Sequence, residues 1–220
     1  MLSASTLKYL KDLAAHNERD WFQDTKPRFE KAKEEFEEFI EFLIHGISEF
    51  DASVKGLEAK RCIFRIHRDV RFSKDKSPYK THFGAHIGAF ASQVHDRAGY
   101  YVHIEPQNSM LGGGAYQPPP PWLAAIREAI DSDGAALNRI LASASFKKYF
   151  GALEGETLKT TPKGYPPDHR HIDLLRHKGF LAVHRPTDTE IVAPNFPKHV
   201  LQVFKALKPF DDYLNAALKD

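Results

Sequence analysis

Cysteine is nearly absent from this chain, since Cys62 is the only one among its 220 residues. A single thiol cannot form an internal disulfide, and it excludes metal sites built from several thiolates, such as zinc fingers. Because disulfides belong to oxidising compartments, a chain without them suits a reducing one. We therefore expect a cytoplasmic protein, with Cys62 packed in its core.

Long apolar runs are missing as well. The first residues, MLSASTLKYLKDLAAHNERDW, lack the uninterrupted apolar core of a secretory signal. No stretch approaches the roughly 20 apolar residues of a membrane helix. The hydrophobic content of 42% is ordinary for a chain that folds around a core. We expect no membrane partner.

The chain also has little net charge, because 31 basic residues face 29 acidic ones and leave +2. A balance of this kind does not require nucleic acid or an acidic membrane as a partner. Charge is nevertheless concentrated locally. Residues 61–80 contain seven lysines and arginines against two aspartates, so the rest of the chain is slightly acidic.

Apolar periodicity predicts helices at the two ends of the chain and strands between them. From Phe29 to Ile47, apolar residues recur at three- and four-residue steps, which is typical of a long amphipathic helix. Strands are predicted at 61–69, 83–90, 99–105 and 180–186, with 109–116 as a bulged strand or a loop. Further helices are predicted to start near Asn17, near Pro121, at Asp168 as a cap, and near Pro197 with a break at Pro209.

The connections between the central strands are short, which favours antiparallel neighbours over parallel crossovers. We predict an α+β fold with a central, mainly antiparallel sheet of about four to six strands, flanked by N-terminal and C-terminal helices. No repeat, low-complexity tract or linker divides the sequence. A single domain over residues 1–220 is therefore expected.

The basic segment reads RCIFRIHRDVRFSKDKSPYKTH from residue 61 to residue 82. A sheet face lined with cations must pair them, solvate them or offer them to an anion. Guanidinium groups suit phosphate and carboxylate because two N–H donors meet two oxygens. The predicted ligand-binding residues here are Arg61, Arg65, His67, Arg71, Lys76 and Lys80.

In the alternative, Asp69, Asp75 and the acidic helices pair these cations internally. Arg68 interrupts the apolar face, so a bulge or a buried pair is expected there.

A second group of polar residues shares one face of the strand at 99–105, where Tyr101, His103 and Glu105 alternate with apolar positions. If that face meets the basic segment, His103 and Glu105 could perform general acid–base catalysis, because histidine titrates near neutrality and burial tunes a carboxylate. Tyr101 and His86 would complete the binding pocket. The alternative is a solvated sheet face with ordinary cross-strand pairs.

The 12 histidines raise the question of a metal. His169 and His171 follow Asp168 closely, and His67, His82, His86 and His103 occur in the β region. No HExxH motif or Cys/His spacing is present, however. Asp168 is explained as a helix cap. We predict no metal site and no cofactor from the sequence.

Several segments resemble, in the same order, the signature of an uncharacterised family found mainly in bacteria, the domain of unknown function 2461. They are NERDWF (17–22), RIHRDVRFSKDKSPYKT (65–81), YYVHIEP (100–106), LGGGAY (111–116) and LKTTPKGYPPDH (158–169). The resemblance spans nearly the whole chain, so it implies one domain. It implies no activity, cofactor or site, because the family carries none that could be transferred.

The residues therefore leave the function unknown, with one preferred hypothesis and two alternatives. The preferred one is a small anionic ligand, bearing phosphate or carboxylate, bound on a cationic sheet face and acted on by hydrolase or transferase chemistry. The first alternative is a nucleic-acid-binding module that uses residues 61–80 with Tyr79, Tyr100 and Tyr101. The second is a structural or partner-binding protein whose arginines form internal ion pairs. Whether the protein is an enzyme, and its oligomeric state, are not decided by the sequence.

Overall fold

The structure, a computed structural model, describes residues 1–88 and 95–218. The chain divides into two compact units, each assembled from three segments. The first unit comprises Met1–Ile87, Tyr101–Leu111 and Arg185–Gln202. The second comprises Gly88–Tyr100, Gly112–His184 and Val203–Asp220. A single domain over the whole chain stays a prediction.

The α+β fold class is confirmed, and the described residues contain one antiparallel sheet of four strands, within the predicted range. Its order is β1-β2-β3-β4, so strands adjacent in sequence are adjacent in the sheet. The strands are β1 Phe83–Ile87, β2 Tyr100–Ile104, β3 Met110–Ala115 and β4 Phe180–His184. The helices are α1 Ala4–Ala15, α2 Arg19–Asp24, α3 Lys26–Ser48, α4 Ala59–Cys62, α5 Pro120–Ala142, α6 Ala144–Phe150, α7 Ile172–Leu175, α8 Asp188–Ile191 and α9 Phe196–Ala216. A short 3-10 helix covers Ala52–Val54. None of the described helices has both the length and the apolar character of a membrane span.

The predicted strand at 61–69 is wrong. Its first two residues belong to helix α4, and the rest makes only two isolated antiparallel bridges, Ile63 with Ala85 and His67 with Tyr79. Residues 63–68 pair with one stretch, residues 78–85, but the register shifts midway: Phe64 N donates to Gly84 O at 2.9 Å, whereas Ile66 O accepts from Lys80 N at 2.8 Å. A strand needs a ladder of constant register, so no strand forms. The cations therefore do not line a sheet face.

Three other predicted boundaries change for local reasons. Helix α9 continues through Pro209 instead of breaking, and Phe204, Phe210 and Leu214 around that proline are fully buried. Asp168 does not cap a helix, because α7 begins only at Ile172 with His171 before it. The strand predicted to reach residue 90 ends at Ile87, and residues 89–94 lie outside the described part of the chain.

In the first unit, the core is built on α3. Its predicted apolar stripe is buried, namely Phe29, Ala32, Phe36, Phe39, Ile40, Leu43 and Ile47. Phe36 stacks on Phe83 of β1 with ring centroids 5.2 Å apart, and Phe39 stacks on Phe196 of α9 at 5.7 Å. Helix α3 thus covers the β1 face that carries Phe83, and it leaves the other β1 face for different side chains.

In the second unit, the glycine run of β3 allows close backbone contact with β4. A Cβ atom on Gly112 would lie 2.5 Å from Ala182 O, and one on Gly114 would lie 2.0 Å from Phe180 O. Gly114 also has φ near +111°, which residues with a side chain rarely adopt. The segment predicted as a bulged strand or a loop is therefore a strand that requires glycine for its packing.

Helix α1 is anchored at its N-terminus by a carboxylate of α3. Glu35 Oε2 accepts from the backbone N of Ser3 at 3.1 Å, from Ser3 Oγ at 2.7 Å and from the hydroxyl of Thr6. Burial alone would raise the pKa of Glu35, but these hydrogen bonds outweigh it and lower the pKa below its ordinary value. The ionised carboxylate therefore stabilises the folded state.

We predict that Glu35→Gln lowers the free energy of unfolding at pH 7 by about 1–3 kcal/mol, because charge-assisted hydrogen bonds are lost. A carboxylate with a lowered folded pKa contributes fully above its unfolded pKa of about 4.3 and loses that contribution as the pH falls through the folded pKa. The difference from wild type should therefore shrink by pH 3 in urea unfolding. The exposed neighbour substitution Glu34→Gln serves as the control, and an equal loss for both variants would contradict the assignment.

Candidate functional site

Five side chains of the first unit form a polar cluster beside β1 and β2: Thr81, His82, Tyr101, His103 and Glu105, here called the β1–β2 polar cluster. Tyr101 and His103 are two positions apart on β2, so they project from the same face, and Glu105 follows directly after the strand. Thr81 and His82 come directly before β1. The antiparallel pairing of β1 with β2 places the start of one strand beside the end of the other.

Hydrogen bonds join Tyr101, His103 and Glu105 into one chain. The Tyr101 hydroxyl lies 3.0 Å from His103 Nδ1, and His103 Nε2 lies 3.1 Å from Glu105 Oε2. An ionised carboxylate only accepts, so Nε2 carries the proton and Nδ1 of the neutral ring accepts from the tyrosine. His103 is buried, and the Glu105 side chain is 21% exposed. The predicted grouping on this strand face is thus a connected network.

The Glu105 carboxylate is held on both oxygens. Thr81 Oγ1 donates to Oε1 at 2.6 Å, and Asn108 Nδ2 donates to Oε2 at 2.7 Å. Burial raises the pKa of Glu105, but the hydrogen bonds from Thr81, Asn108 and His103 outweigh burial and lower it. Glu105 is consequently ionised at neutral pH and fixes the orientation of the His103 ring.

His82 packs against His103, with the two imidazole rings stacked at a centroid distance of 4.0 Å. Burial, followed by the neighbouring His103, lowers the pKa of His82 to about 4. At neutral pH this ring is therefore uncharged, and its nitrogen lone pair is available to a proton or a metal ion.

Gly84 and Phe64 border the cluster on the same face of β1. A Cβ on Gly84 would lie 3.1 Å from Phe64 Cδ2, 3.6 Å from the Tyr101 hydroxyl oxygen and 3.7 Å from His82 Cδ2. The absence of a side chain on Gly84 therefore lets Phe64, Tyr101 and His82 pack closely against this part of β1. The rings of Phe64 and Tyr101 are tilted, with their centroids 6.4 Å apart.

Lys80 and Arg65 place positive charge near the cluster. Lys80 Nζ lies 5.4 Å from the centroid of the Phe64 ring, and burial, with the nearby charge of Arg65, lowers the pKa of Lys80. Arg65 is exposed, and no ion pair is seen for it among residues 1–88 and 95–218. The charges of these two residues repel each other, so Lys80 and Arg65 lie close together.

The other predicted ligand-binding residues are distributed differently. Arg71 forms an ion pair with Asp69 at 2.7 Å, and Lys76 Nζ donates to Val70 O at 2.9 Å, so both close the 69–77 loop on itself. Arg61 lies in helix α4 and is exposed. Arg68 pairs with Asp75, but the Asp75 side chain is 61% exposed, so this is not the buried pair that was expected.

The two remaining predicted histidines differ in exposure. His67 is exposed and its ring lies 5.3 Å from that of Tyr79 and 6.4 Å from that of Phe22. His86 is buried on β1, two residues beyond Gly84. The structure therefore joins the side chains of Tyr101, His103 and Glu105 with those of Thr81 and His82.

His82, Thr81 and Asn108 were not among the predicted site residues. His82 had one signal, since it alternates with Gly84 and His86 along β1 and shares their face. Thr81 and Asn108 had none, because their role depends on chain pairing and on a turn after β2. These contacts join residues that are far apart in the chain or depend on the conformation of a turn. They therefore leave no recognisable pattern in a single sequence.

One group of residues in the described chain has the ligand types of a metal site. His82, His103 and Glu105 each offer one ligand atom, and these atoms lie within 4.8 Å of one another. The DHRH histidines behave differently, because His169 Nε2 pairs with Asp131 at 3.0 Å and His171 Nδ1 lies 3.2 Å from Asn138 Nδ2.

Burial removes two of the three tyrosines on which the nucleic-acid alternative depends. Tyr79 is 4% exposed and Tyr100 is 2% exposed, so neither ring can stack on a base. Of the three tyrosines in that hypothesis, Tyr101 alone is partly exposed.

Comparison with known proteins gives one match. The model of a family described as conserved hypothetical protein (DUF2461) matches residues 5–213. No curated protein matches the chain. No solved structure matches it either.

The segment that carries Lys80, Thr81 and His82 is held by Asn17. Its side chain bonds both backbone groups of Tyr79: Nδ2 donates to Tyr79 O at 2.9 Å, and Oδ1 accepts from Tyr79 N at 3.0 Å. Asn17 was predicted to start a helix, but α2 begins at Arg19 and the asparagine acts instead as a pairing partner for this backbone.

We predict that Asn17→Ala lowers the free energy of unfolding by about 1–3 kcal/mol, because two partly buried backbone groups lose their partner. Urea unfolding followed by circular dichroism measures the change. Asn138→Ala on α5 is the matched control, with an expected change within about 0.5 kcal/mol. Equal effects of the two substitutions would show that the Asn17 contact has no special role.

Proposed function

We propose that this chain, which belongs to the conserved hypothetical protein family DUF2461, binds a small anionic ligand at the β1–β2 polar cluster and acts on it by hydrolase or transferase chemistry. The observation that carries the proposal is the hydrogen-bonded chain Tyr101–His103–Glu105. A buried histidine oriented by a carboxylate is a frequent arrangement for proton transfer. The ligand is a phosphate- or carboxylate-bearing molecule.

Lys80 and Arg65 are the proposed anion-binding cations. Lys80 is partly desolvated beside Phe64, and a desolvated charge attracts an anion more strongly than one in bulk water. Arg65 offers a guanidinium that can meet two oxygens of a phosphate or carboxylate. Both precede the cluster in the chain, whereas Arg71 and Lys76 are engaged within their own loop.

The proposed catalytic pair is His103 with Glu105. Glu105 would stabilise the imidazolium that forms when His103 takes a proton, and it keeps Nδ1 directed at the Tyr101 hydroxyl. The Tyr101 hydroxyl is bonded to His103 Nδ1 and lies near Gly84 of β1. A ligand there would exchange a proton with His103 through Tyr101.

The alternative, in which the basic segment has only a structural role, makes a different prediction about its arginines. If the arginines served only to join segments, each would have an internal acid as its partner. Arg68 and Arg71 do, with Asp75 and Asp69. For Arg65 no such pair is seen in the described residues, which supports a role toward a ligand.

The binding part is tested by titrating the protein with inorganic phosphate and a panel of small phosphates and carboxylates. An anion that binds the native state raises the melting temperature by mass action. We predict that the double substitution Arg65→Gln, Lys80→Gln weakens the Kd at least tenfold, whereas Arg71→Gln, the matched control, changes it less than threefold. Circular dichroism verifies that each variant is folded. The proposal fails if no anion stabilises the wild type, or if the control weakens binding as much.

The chemical part is tested with chromogenic phosphate and carboxylate esters. We predict that His103→Gln abolishes turnover of any ester that the wild type cleaves, while circular dichroism shows that the variant is folded. Turnover that survives in the folded His103→Gln variant would assign the chemistry to other residues.

A further inference from the structure

We propose that His82, His103 and Glu105 together bind one divalent transition-metal ion, for which zinc is the probe. This inference rests on the proposed function, because the ion would hold an oxygen of the anionic ligand. In this proposal the cluster holds a resident ion, and His103 and Glu105 are its ligands instead of the pair that transfers protons.

The ligand atoms have the type and spacing that such an ion requires. Two imidazole nitrogens with one carboxylate oxygen form a donor set found in catalytic zinc sites, which keep a fourth position for water or substrate. Bonds of about 2.0–2.2 Å in a tetrahedral site separate the ligand atoms by roughly 3.4 Å. His103 Nε2 and Glu105 Oε2 are already 3.1 Å apart, and all three ligand atoms lie within 4.8 Å of one another.

The hydrogen bonds made by His103 and Glu105 to their neighbours are of the kind that orient metal ligands. A metal-bound histidine generally uses its second ring nitrogen in a hydrogen bond, and a ligating carboxylate is itself hydrogen-bonded. Tyr101 supplies the first partner at 3.0 Å from His103 Nδ1. Thr81 and Asn108 supply the second, on Glu105. These contacts hold two of the three ligands in place before any ion arrives.

His82 must turn to complete the site. Its ring is stacked on His103, and stacked rings direct their lone pairs in parallel, whereas shared coordination needs lone pairs that converge on one point. Metal binding should therefore separate the two rings.

The proton balance of this step is simple. The ion would displace the proton from Nε2 of His103, and the ring stays neutral because it takes one proton back on Nδ1, so this residue releases no net proton. Nδ1–H then donates to the oxygen of Tyr101, whose hydroxyl no longer donates to His103. Water at the open position of the ion, with its pKa lowered by the metal, replaces His103 as the group that accepts or supplies protons.

The test uses untagged, chelator-treated full-length protein and calorimetric titration with zinc chloride alone. We predict one ion per chain. The substitutions His82→Gln and Glu105→Gln should weaken the zinc Kd at least a hundredfold. The milder changes Thr81→Val and Tyr101→Phe should weaken it about 10- to 100-fold, as loss of an outer contact does. His169→Gln, which removes another histidine paired with a carboxylate, is the control and should leave the Kd unchanged.

The outcomes separate this inference from the proposed function. Equal zinc Kd values for the wild type and the folded Thr81→Val and Tyr101→Phe variants, or a loss with His169→Gln, would overturn the metal site. If zinc does not bind but phosphate still stabilises the chelator-treated protein through Arg65 and Lys80, only the metal inference fails. If zinc binds at the cluster and no anion binds with or without it, the proposed function fails and the metal site stands.

Discussion

The β1–β2 polar cluster depends on the fixed position of one carboxylate, that of Glu105. Thr81 and Asn108 each donate to it, and His103 is oriented by it. A partly buried charge is unfavourable unless hydrogen bonds compensate for its lost hydration, so these contacts are a condition for its presence there. Because these hydrogen bonds compensate for the lost hydration, the carboxylate can orient His103, and through His103 the hydroxyl of Tyr101.

That arrangement follows from how two distant segments are held side by side. The antiparallel pairing of β1 with β2 places residues 81 and 82 next to residues 103 and 105. Asn17 fixes the backbone of Tyr79, just before this point, from outside the sheet. On the opposite face of β1, Phe83 stacks on Phe36, so apolar and polar functions are divided between the two faces of one strand.

The predictions that succeeded are those that depend on local periodicity. Alternation placed Tyr101, His103 and Glu105 on one face, and three- and four-residue steps identified the buried stripe of α3. The prediction of a strand at 61–69 failed because alternation does not reveal that the pairing register shifts midway. The same limit hid Thr81, whose partner lies 24 residues away in the chain. The absence of a metal motif likewise gave no indication that His82 would meet His103, because pairing between strands, and not spacing along a helix, brings them together.

The most direct test of the central claim is the spectrum of the histidine ring nitrogens, recorded by two-dimensional proton–nitrogen NMR during titration with inorganic phosphate. We predict that the signals of His82 and His103 shift together with one Kd, because both rings belong to the site. The signals of His169 and His171 in the second unit should not move. Phosphate-dependent shifts confined to His169 and His171, or no shift of His82 and His103 at saturating phosphate, would contradict the assignment of the β1–β2 polar cluster as the functional site.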